Sequence, residues 1–103
     1  LKTIYKMGHN ISGYKTTDKE NEVACLSRGA FNNLKSEIYN ALNCHDCYGG
    51  VSGNGNEREF TKDELIKAME YLGNKEELEP ERKFIADCLS NVDEKGKILV
   101  GFY

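Results

Sequence analysis

The tetrapeptide Cys44-His45-Asp46-Cys47 holds the residue types with the clearest capacity for chemistry. Because two residues separate its cysteines, both thiolates can reach one metal ion at about 2.3 Å. Cys25, Cys88 or His9 could complete a tetrahedral zinc site. A structural zinc site usually has a second closely spaced pair of ligands, whereas Cys25 and Cys88 are isolated. The tetrapeptide is therefore a candidate metal site that lacks the second part of the usual pattern.

Thiol chemistry is a weaker interpretation of the same tetrapeptide. A reactive thiolate is favoured by a helix N-terminus, whereas Cys44 follows a predicted helix C-terminus, whose partial negative charge opposes ionisation. Cys25 and Cys88 fall on apolar faces, where a free cysteine behaves as a small hydrophobic residue. Four cysteines are few for a secreted disulfide scaffold, so we expect free thiols in a reducing cytoplasm. A secreted protein with two disulfides is the alternative.

A glycine-rich segment follows, with four glycines between Tyr48 and Asn56. Its backbone amides could bind a phosphate at the start of the following helix. However, the segment lacks the Gly-Lys-Ser/Thr ending of a Walker loop. In addition, four carboxylates between Glu57 and Glu64 would repel an anion. A flexible connection between two helices is the plainer interpretation. The span from Cys44 to Phe60 is longer than such connections usually are. If the protein has a functional site, we therefore expect it in this span. The candidate ligand-binding residues are His9, Tyr14, Tyr48, Ser52 and Asn54.

Two further chemistries fail on spacing. Ser52, a histidine and Asp46 could be drawn as a hydrolytic triad, but Ser52 lacks the Gly-x-Ser-x-Gly context of a nucleophile elbow. The sequence pattern of Phe60–Leu65 and Asn91–Ile98 is similar to that of a pair of calcium-binding EF-hands. With Glu64 as the twelfth ligand, however, Arg58 occupies the sixth position, where glycine is required.

The six tyrosines are expected to pack at the core and its rim with their hydroxyls at water.

The elements that must position these residues begin with a hairpin. Strands are predicted at Ile11–Lys15 and Glu22–Leu26, with a polar loop at 16–21. Val23 to Leu26 is apolar on both faces, which is typical of a strand covered on both sides. The final segment, Lys97–Tyr103, is apolar on both faces as well and predicts an inner strand that joins the hairpin.

Three helices are expected between these strands. Phe31, Leu34, Ile38, Ala41 and Leu42 share one helical face, and that helix should end near Asn43. Thr61 and Glu64 form a capping box, with Phe60 stapled onto Leu65, for a helix that ends at Gly73. Pro80 suits the first turn of a third helix, which buries Phe84, Ile85, Cys88, Leu89 and Val92 and precedes a turn at Asp93–Gly96. The fold class is α+β, an antiparallel sheet of three or four strands packed with three helices, in one domain over residues 1–103.

Composition and charge exclude several classes of function. The 103 residues are 39% hydrophobic and 30% charged, which excludes disorder. No apolar run approaches the roughly 20 residues of a membrane helix, and no secretory signal is visible, so we expect no membrane contact. Residues 1–56 carry 6 basic and 5 acidic groups, and residues 57–103 carry 8 and 12. Without a basic stripe, nucleic-acid binding is not expected. Met7 is a candidate natural start.

The chain resembles small uncharacterised bacterial and phage proteins that open with Gly-His-x-Ile-x-Gly-Tyr. The residues that carry the resemblance are Gly8–Tyr14, Ala30–Asn32, Cys47–Gly55 and Phe60–Leu65. The resemblance spans nearly the whole chain and implies a bacterial cytoplasmic setting without a known activity.

We therefore expect a cytoplasmic accessory protein that works by binding, as a monomer or homodimer and without a cofactor. Its predicted contact surface is the Gly8–Tyr14 approach with the 44–60 loop, and its partner is a protein or a small ligand. The alternative is a metal-dependent or nucleotide-handling enzyme that uses His9 and the 44–47 tetrapeptide.

Overall fold

A four-stranded antiparallel sheet carries the helices of this protein. The structure is a computed structural model that describes residues 9–27, 35–49 and 53–103, with side chains described from residue 37 onward in the second range. In chain order the elements are β1 (Asn10–Lys15), β2 (Asp18–Ser27), α1 (Lys35–Leu42), β3 (Glu57–Thr61), α2 (Lys62–Leu72), α3 (Glu79–Leu89) and β4 (Lys97–Phe102). The strands lie in the order β2-β1-β4-β3. The predicted α+β class is confirmed.

Strand β4 lies inside the sheet, as its two apolar faces predict. It pairs antiparallel with β1 on one side, where Ile11 lies opposite Phe102, and with β3 on the other, where Phe60 lies opposite Ile98. Every residue of β4 after Lys97 is buried. The hairpin and the C-terminal strand therefore form one hydrogen-bonded unit.

The helices α2 and α3 pack against one another, and α3 also packs against the β1–β2 hairpin. Gly13 of β1 permits this close approach. A Cβ atom built on Gly13 would lie 3.0 Å from the Cys88 Sγ atom and 3.0 Å from the Ala24 Cβ atom. Cys88 is fully buried here, which confirms its predicted role as a small hydrophobic residue.

Strand β2 differs from its prediction in length and in burial. It begins at Asp18, directly after the two-residue turn Thr16-Thr17, so residues 18–21 of the polar loop predicted at 16–21 are part of the strand. Among the described strands β2 pairs only with β1, so it is an edge strand. Ala24 and Leu26 are buried while Cys25 is exposed. The predictions that this strand is covered on both sides and that Cys25 is buried are wrong.

The sequence does not predict strand β3, because its residues are mostly charged. Glu57, Arg58 and Glu59 precede Phe60, and only Phe60 is fully buried. Charged residues are common on short edge strands, where they prevent pairing with other chains. The segment predicted as loop up to Phe60 thus ends in a strand, in which Arg58 and Phe60 alternate with exposed residues.

The helix ends follow the predicted signals. Asn43, with φ of 54°, ends α1, and Ile38 and Leu42 of that helix are buried. Phe31 and Leu34 lie outside the described residues. In α3, Pro80 occupies the first turn, and Phe84 and Ile85 are buried. Leu89 and Val92 are half-buried at its end.

The capping box of α2 is formed as predicted. The Glu64 amide donates to the Thr61 Oγ1 atom at 3.2 Å, and the Thr61 amide donates to the Glu64 Oε1 atom at 2.8 Å. Gly73, with φ of 65°, ends the helix, and its amide donates to the Met69 carbonyl. The capping box uses the Glu64 carboxylate, which the EF-hand interpretation would have assigned to calcium.

The second EF-hand-like stretch is a turn that leads into β4. The Asp93 Oδ1 atom accepts from the amides of Lys95 at 2.8 Å and Lys97 at 2.9 Å. The Thr16 hydroxyl donates to the Asp93 Oδ2 atom at 2.6 Å. The Asp93 carboxylate therefore joins the β1–β2 turn to the start of β4.

No helix within the described ranges combines the length and apolar character needed to cross a lipid bilayer.

Replacing Thr61 tests the start of α2. Thr61→Ala removes the acceptor for the Glu64 amide and should lower the free energy of unfolding by about 1 kcal/mol, measured by urea denaturation. Thr61→Ser keeps the acceptor and is the matched control, for which we expect a much smaller loss. Equal stability of Thr61→Ala and wild type would show that the box does not stabilise the helix.

Candidate functional site

The 44–47 tetrapeptide forms a 3-10 turn directly after α1. The Cys44 amide donates to the Tyr39 carbonyl at 3.0 Å, and the Cys47 amide donates to the Cys44 carbonyl at 2.9 Å. Cys44 and Cys47 are fully buried, whereas His45 and Asp46 are exposed. The turn therefore points its two thiols into the core and its two other side chains into solvent.

Burial keeps both of these thiols protonated. It raises the pKa of the Cys44 thiol to about 12, with a further contribution from Cys47, while Arg58 acts in the opposite direction. Burial also raises the pKa of the Cys47 thiol. Neutral thiols are poor metal ligands and poor nucleophiles, because the thiolate is the reactive form.

The outward side chains each have a partner of their own. The His45 Nε2 atom hydrogen-bonds to the Asn40 Oδ1 atom. Asp46 forms an ion pair with Arg58 of β3, with 3.2 Å between the Arg58 Nη1 and Asp46 Oδ1 atoms. The hydrogen bond from Arg58 holds the pKa of the Asp46 carboxyl below its usual value. This pair joins the turn to the edge of the sheet.

The tetrapeptide and its proposed additional ligands do not converge on one point. Cys25 is exposed on β2, and Cys88 lies under Gly13 on α3. In the part of the chain that the structure describes, no group of three or more His, Cys, Asp or Glu side chains is placed to hold a metal ion. The metal site stays a prediction that this geometry does not support.

An aromatic cluster lies beneath the loop. The His9 Nε2 atom and the Tyr39 hydroxyl share a hydrogen bond of 2.6 Å. The His9 ring stacks on Tyr48, with 5.7 Å between ring centroids, and Tyr39 meets Tyr48 edge-on at 5.0 Å. Tyr39 also contacts Phe102 of β4, at 5.4 Å. The cluster thus connects residue 9, α1, the loop and the sheet.

Tyr39 departs from the expectation that tyrosine hydroxyls face water. It is fully buried, and burial raises the pKa of its hydroxyl well above the usual value. Tyr14 is also almost fully buried. Tyr39 lies three residues before the buried Leu42, a spacing that places both residues on one face of the helix.

Both ends of the glycine-rich segment are anchored. The Asn54 amide donates to the Cys47 carbonyl at 3.0 Å, the Asn54 side-chain amide donates to the Asp46 carbonyl, and Tyr48 forms a β-bridge with Gly53. A Cβ atom on Gly53 would lie only 2.4 Å from the Phe102 carbonyl carbon, so this position requires glycine.

The segment then continues onto the sheet. The Gly55 amide donates to the Phe102 carbonyl at 2.8 Å, and the Phe102 amide donates to the Asn56 carbonyl at 2.9 Å. The segment therefore leads from α1 into β3, and the prediction that it connects two helices is wrong.

The candidate ligand-binding residues are only partly brought together. His9, Tyr48 and Asn54 lie at the loop, with His9 almost fully buried. Tyr14 lies further along β1, opposite Leu99, and its side chain is enclosed. Ser52 lies outside the described residues. Arg58 and Tyr39 belong to the same region and were missed, because their contacts join segments distant in the sequence.

Comparison of the chain with protein-family models, curated proteins and solved structures found no match. The resemblance to bacterial and phage proteins stays a prediction.

The buried thiols predict how stability depends on pH. The folded-state pKa of Cys44 lies above its ordinary value of 9.0, so its contribution is complete below pH 9 and is lost as pH rises toward 12. The urea midpoint should therefore fall as the pH rises from about 9 to about 10.5. Cys44→Ala should make this fall shallower, while Cys25→Ala, at an exposed position, should leave it unchanged. A midpoint constant over this interval would contradict the assignment.

Proposed function

We propose that this protein is a binding module whose contact surface is the loop surface, defined here as His45, Asp46, Tyr48, Asn54 and Arg58. The observation that carries the proposal is the anchoring of this segment at both ends. Polar side chains at the surface are fixed to a buried aromatic cluster below them, through Tyr48, and to β4, through Gly55 and Asn56.

Pre-organisation is the property that makes such a surface suitable for binding. A loop that is already held in place loses less conformational entropy when a partner binds, so more of the contact energy appears as affinity. In the loop surface, Tyr48 is half-buried by its ring contacts with His9 and Tyr39. Tyrosines held in this way are enriched among the residues that dominate interface energies.

Charge would orient the partner. The Asp46–Arg58 ion pair is partly solvent-exposed, with 65% of the Asp46 side chain and 37% of the Arg58 side chain accessible. Exposed pairs of opposite charge contribute little stability to the fold, but they offer a donor and an acceptor at fixed positions. A polypeptide partner with its own paired charges would match this pattern.

A protein partner fits the surface better than a small ligand does. Small-molecule sites are usually concave. Four cavities of the described structure, of about 220 to 360 Å³, are lined by other segments, among them residues 22–25 with α3 and the α2–α3 groove.

The setting we propose is the bacterial cytoplasm, with the protein acting as a monomer or homodimer and without nucleic acid. All four cysteines are free thiols, which supports a reducing compartment. The acidic balance of the chain gives no basic stripe for phosphates.

A peptide selection tests the proposal. A displayed library of random peptides would be selected on the immobilised wild-type protein, and each enriched peptide would then be measured against two charge-reversal variants. Asp46→Arg, in the loop surface, should weaken binding by at least about tenfold, which is about 1.4 kcal/mol. Glu70→Arg makes the same charge change on the exposed face of α2 and should leave the affinity unchanged.

Two results would contradict the proposal. One is the enrichment of no peptide, or of peptides indifferent to Asp46→Arg. The other is stoichiometric zinc or iron in protein purified without added metal, measured by elemental analysis, since this would favour the enzyme that uses His9 and the 44–47 tetrapeptide.

A further inference from the structure

Cys44 and Cys47 form a pair that the proposed function does not use. The hydrogen bond from the Cys47 amide to the Cys44 carbonyl, at 2.9 Å, closes a turn of four residues. A turn of this kind holds its first and last Cα atoms within about 7 Å, and disulfides usually join Cα atoms about 4.4 to 6.8 Å apart. Both side chains are fully buried in the same hydrophobic cluster, so they lie on the same side of the turn.

We propose that Cys44 and Cys47 form an intramolecular disulfide under oxidising conditions, so that the turn between them exists in a dithiol and a disulfide form. The proposal goes beyond the binding function and does not depend on it. The reduced form is the one described above.

The other two cysteines do not have this geometry. Cys88 lies on α3, with its sulfur against Gly13 of β1, and Cys25 is exposed on the edge strand β2. Neither is within the turn that holds Cys44 and Cys47. We therefore expect one specific disulfide rather than a mixture of pairings.

The oxidant is a low-molecular-weight disulfide, for which glutathione disulfide is the probe. The Cys47 thiolate attacks one glutathione sulfur, the S–S bond of glutathione breaks, and one glutathione leaves as a thiolate. The Cys44 thiolate then attacks the Cys47 sulfur of the mixed disulfide and releases the second glutathione. The two protein thiols lose two protons and two electrons, and one glutathione disulfide is reduced to two thiols.

The exchange should be slow in the folded protein. Both sulfurs are enclosed, so the oxidant must wait for a local opening of the turn. Burial also raises the pKa of each thiol, which lowers the fraction of reactive thiolate at neutral pH. These properties suit a long-lived modification and do not suit a disulfide-exchange catalyst.

The disulfide would restrain the base of the loop surface. The Cys47 carbonyl accepts from the Asn54 amide, and the turn also holds Asp46 opposite Arg58. Because the folded chain already holds the two cysteines together, the disulfide should form more readily in the folded than in the unfolded state. A thermodynamic cycle then requires the oxidised protein to be the more stable form by the same factor.

Peptide mapping tests the pairing. The full chain would be equilibrated in defined mixtures of reduced and oxidised glutathione, quenched, alkylated and digested with trypsin. Cleavage after Lys35 and Arg58 gives a peptide, residues 36–58, that contains Cys44 and Cys47 and no other cysteine. As the mixture becomes more oxidising, this peptide should escape alkylation and become lighter by two hydrogen atoms. The peptides with Cys25 and Cys88 should show no cross-link to it.

The comparison of folded and unfolded chains tests the geometry. The equilibrium constant against glutathione should be at least about tenfold larger without urea than in urea, which is about 30 mV in a two-electron potential. The urea midpoint of the oxidised protein should be higher than that of the reduced protein. Equal constants in the two conditions, alkylation of both cysteines in every mixture, or an oxidised protein that is no more stable would each overturn the proposal.

Variants provide the controls. Cys47→Ser should abolish the loss of two hydrogen atoms from the 36–58 peptide, because Cys44 alone can only stay reduced or form a mixed disulfide with glutathione. Cys25→Ser should leave the equilibrium constant unchanged, because Cys25 is remote from the turn. If Cys25→Ser changed the equilibrium constant by about tenfold or more, the measured disulfide would involve a pair of cysteines other than Cys44 and Cys47. If Cys47→Ser does not fold, the wild-type constants with and without urea still decide the outcome.

Discussion

The position of Phe102 at the end of β4 is the constraint on which the rest of the structure depends. Its backbone amide and carbonyl bond to Asn56 and Gly55, and it lies opposite Ile11 of β1. Its ring contacts Tyr39 of α1 and, at 6.3 Å, Phe60 of β3. One residue thus joins both neighbouring strands, the first helix and the loop. Phe102 also occupies the space that a side chain at position 53 would need, so this position requires glycine.

The properties of the candidate site follow from this arrangement. Because the loop is held on the sheet, its polar side chains have fixed positions while its thiols are forced inward. Burial then keeps the Cys44 and Cys47 thiols neutral, and the Asp46–Arg58 pair remains at the surface. The same turn therefore presents a polar surface for binding and encloses a pair of cysteines beneath it.

Local signals made part of this fold predictable. The capping box at Thr61, the end of α1 at Asn43 and the inner position of β4 each depend on residues near one another in the chain. Strand β3 and the exposure of Cys25 depend on which strand lies beside which, and that order is decided by long-range pairing. The contacts of Arg58 with Asp46 and of His9 with Tyr39 join residues 12 and 30 positions apart, which composition and periodicity do not reveal.

The free energy of unfolding of Phe102→Ala, measured by urea denaturation, tests the central role of this residue most directly. The account predicts a loss of about 3 to 5 kcal/mol, with a smaller loss for Phe102→Leu if the alanine variant does not fold. It also predicts faster hydrogen exchange at the Gly55 amide, which donates to the Phe102 carbonyl. Tyr71→Ala, at a tyrosine that is 53% exposed, is the matched control and should cost far less. A Phe102→Ala protein as stable as the Tyr71→Ala protein, with the Gly55 amide equally protected, would contradict the account.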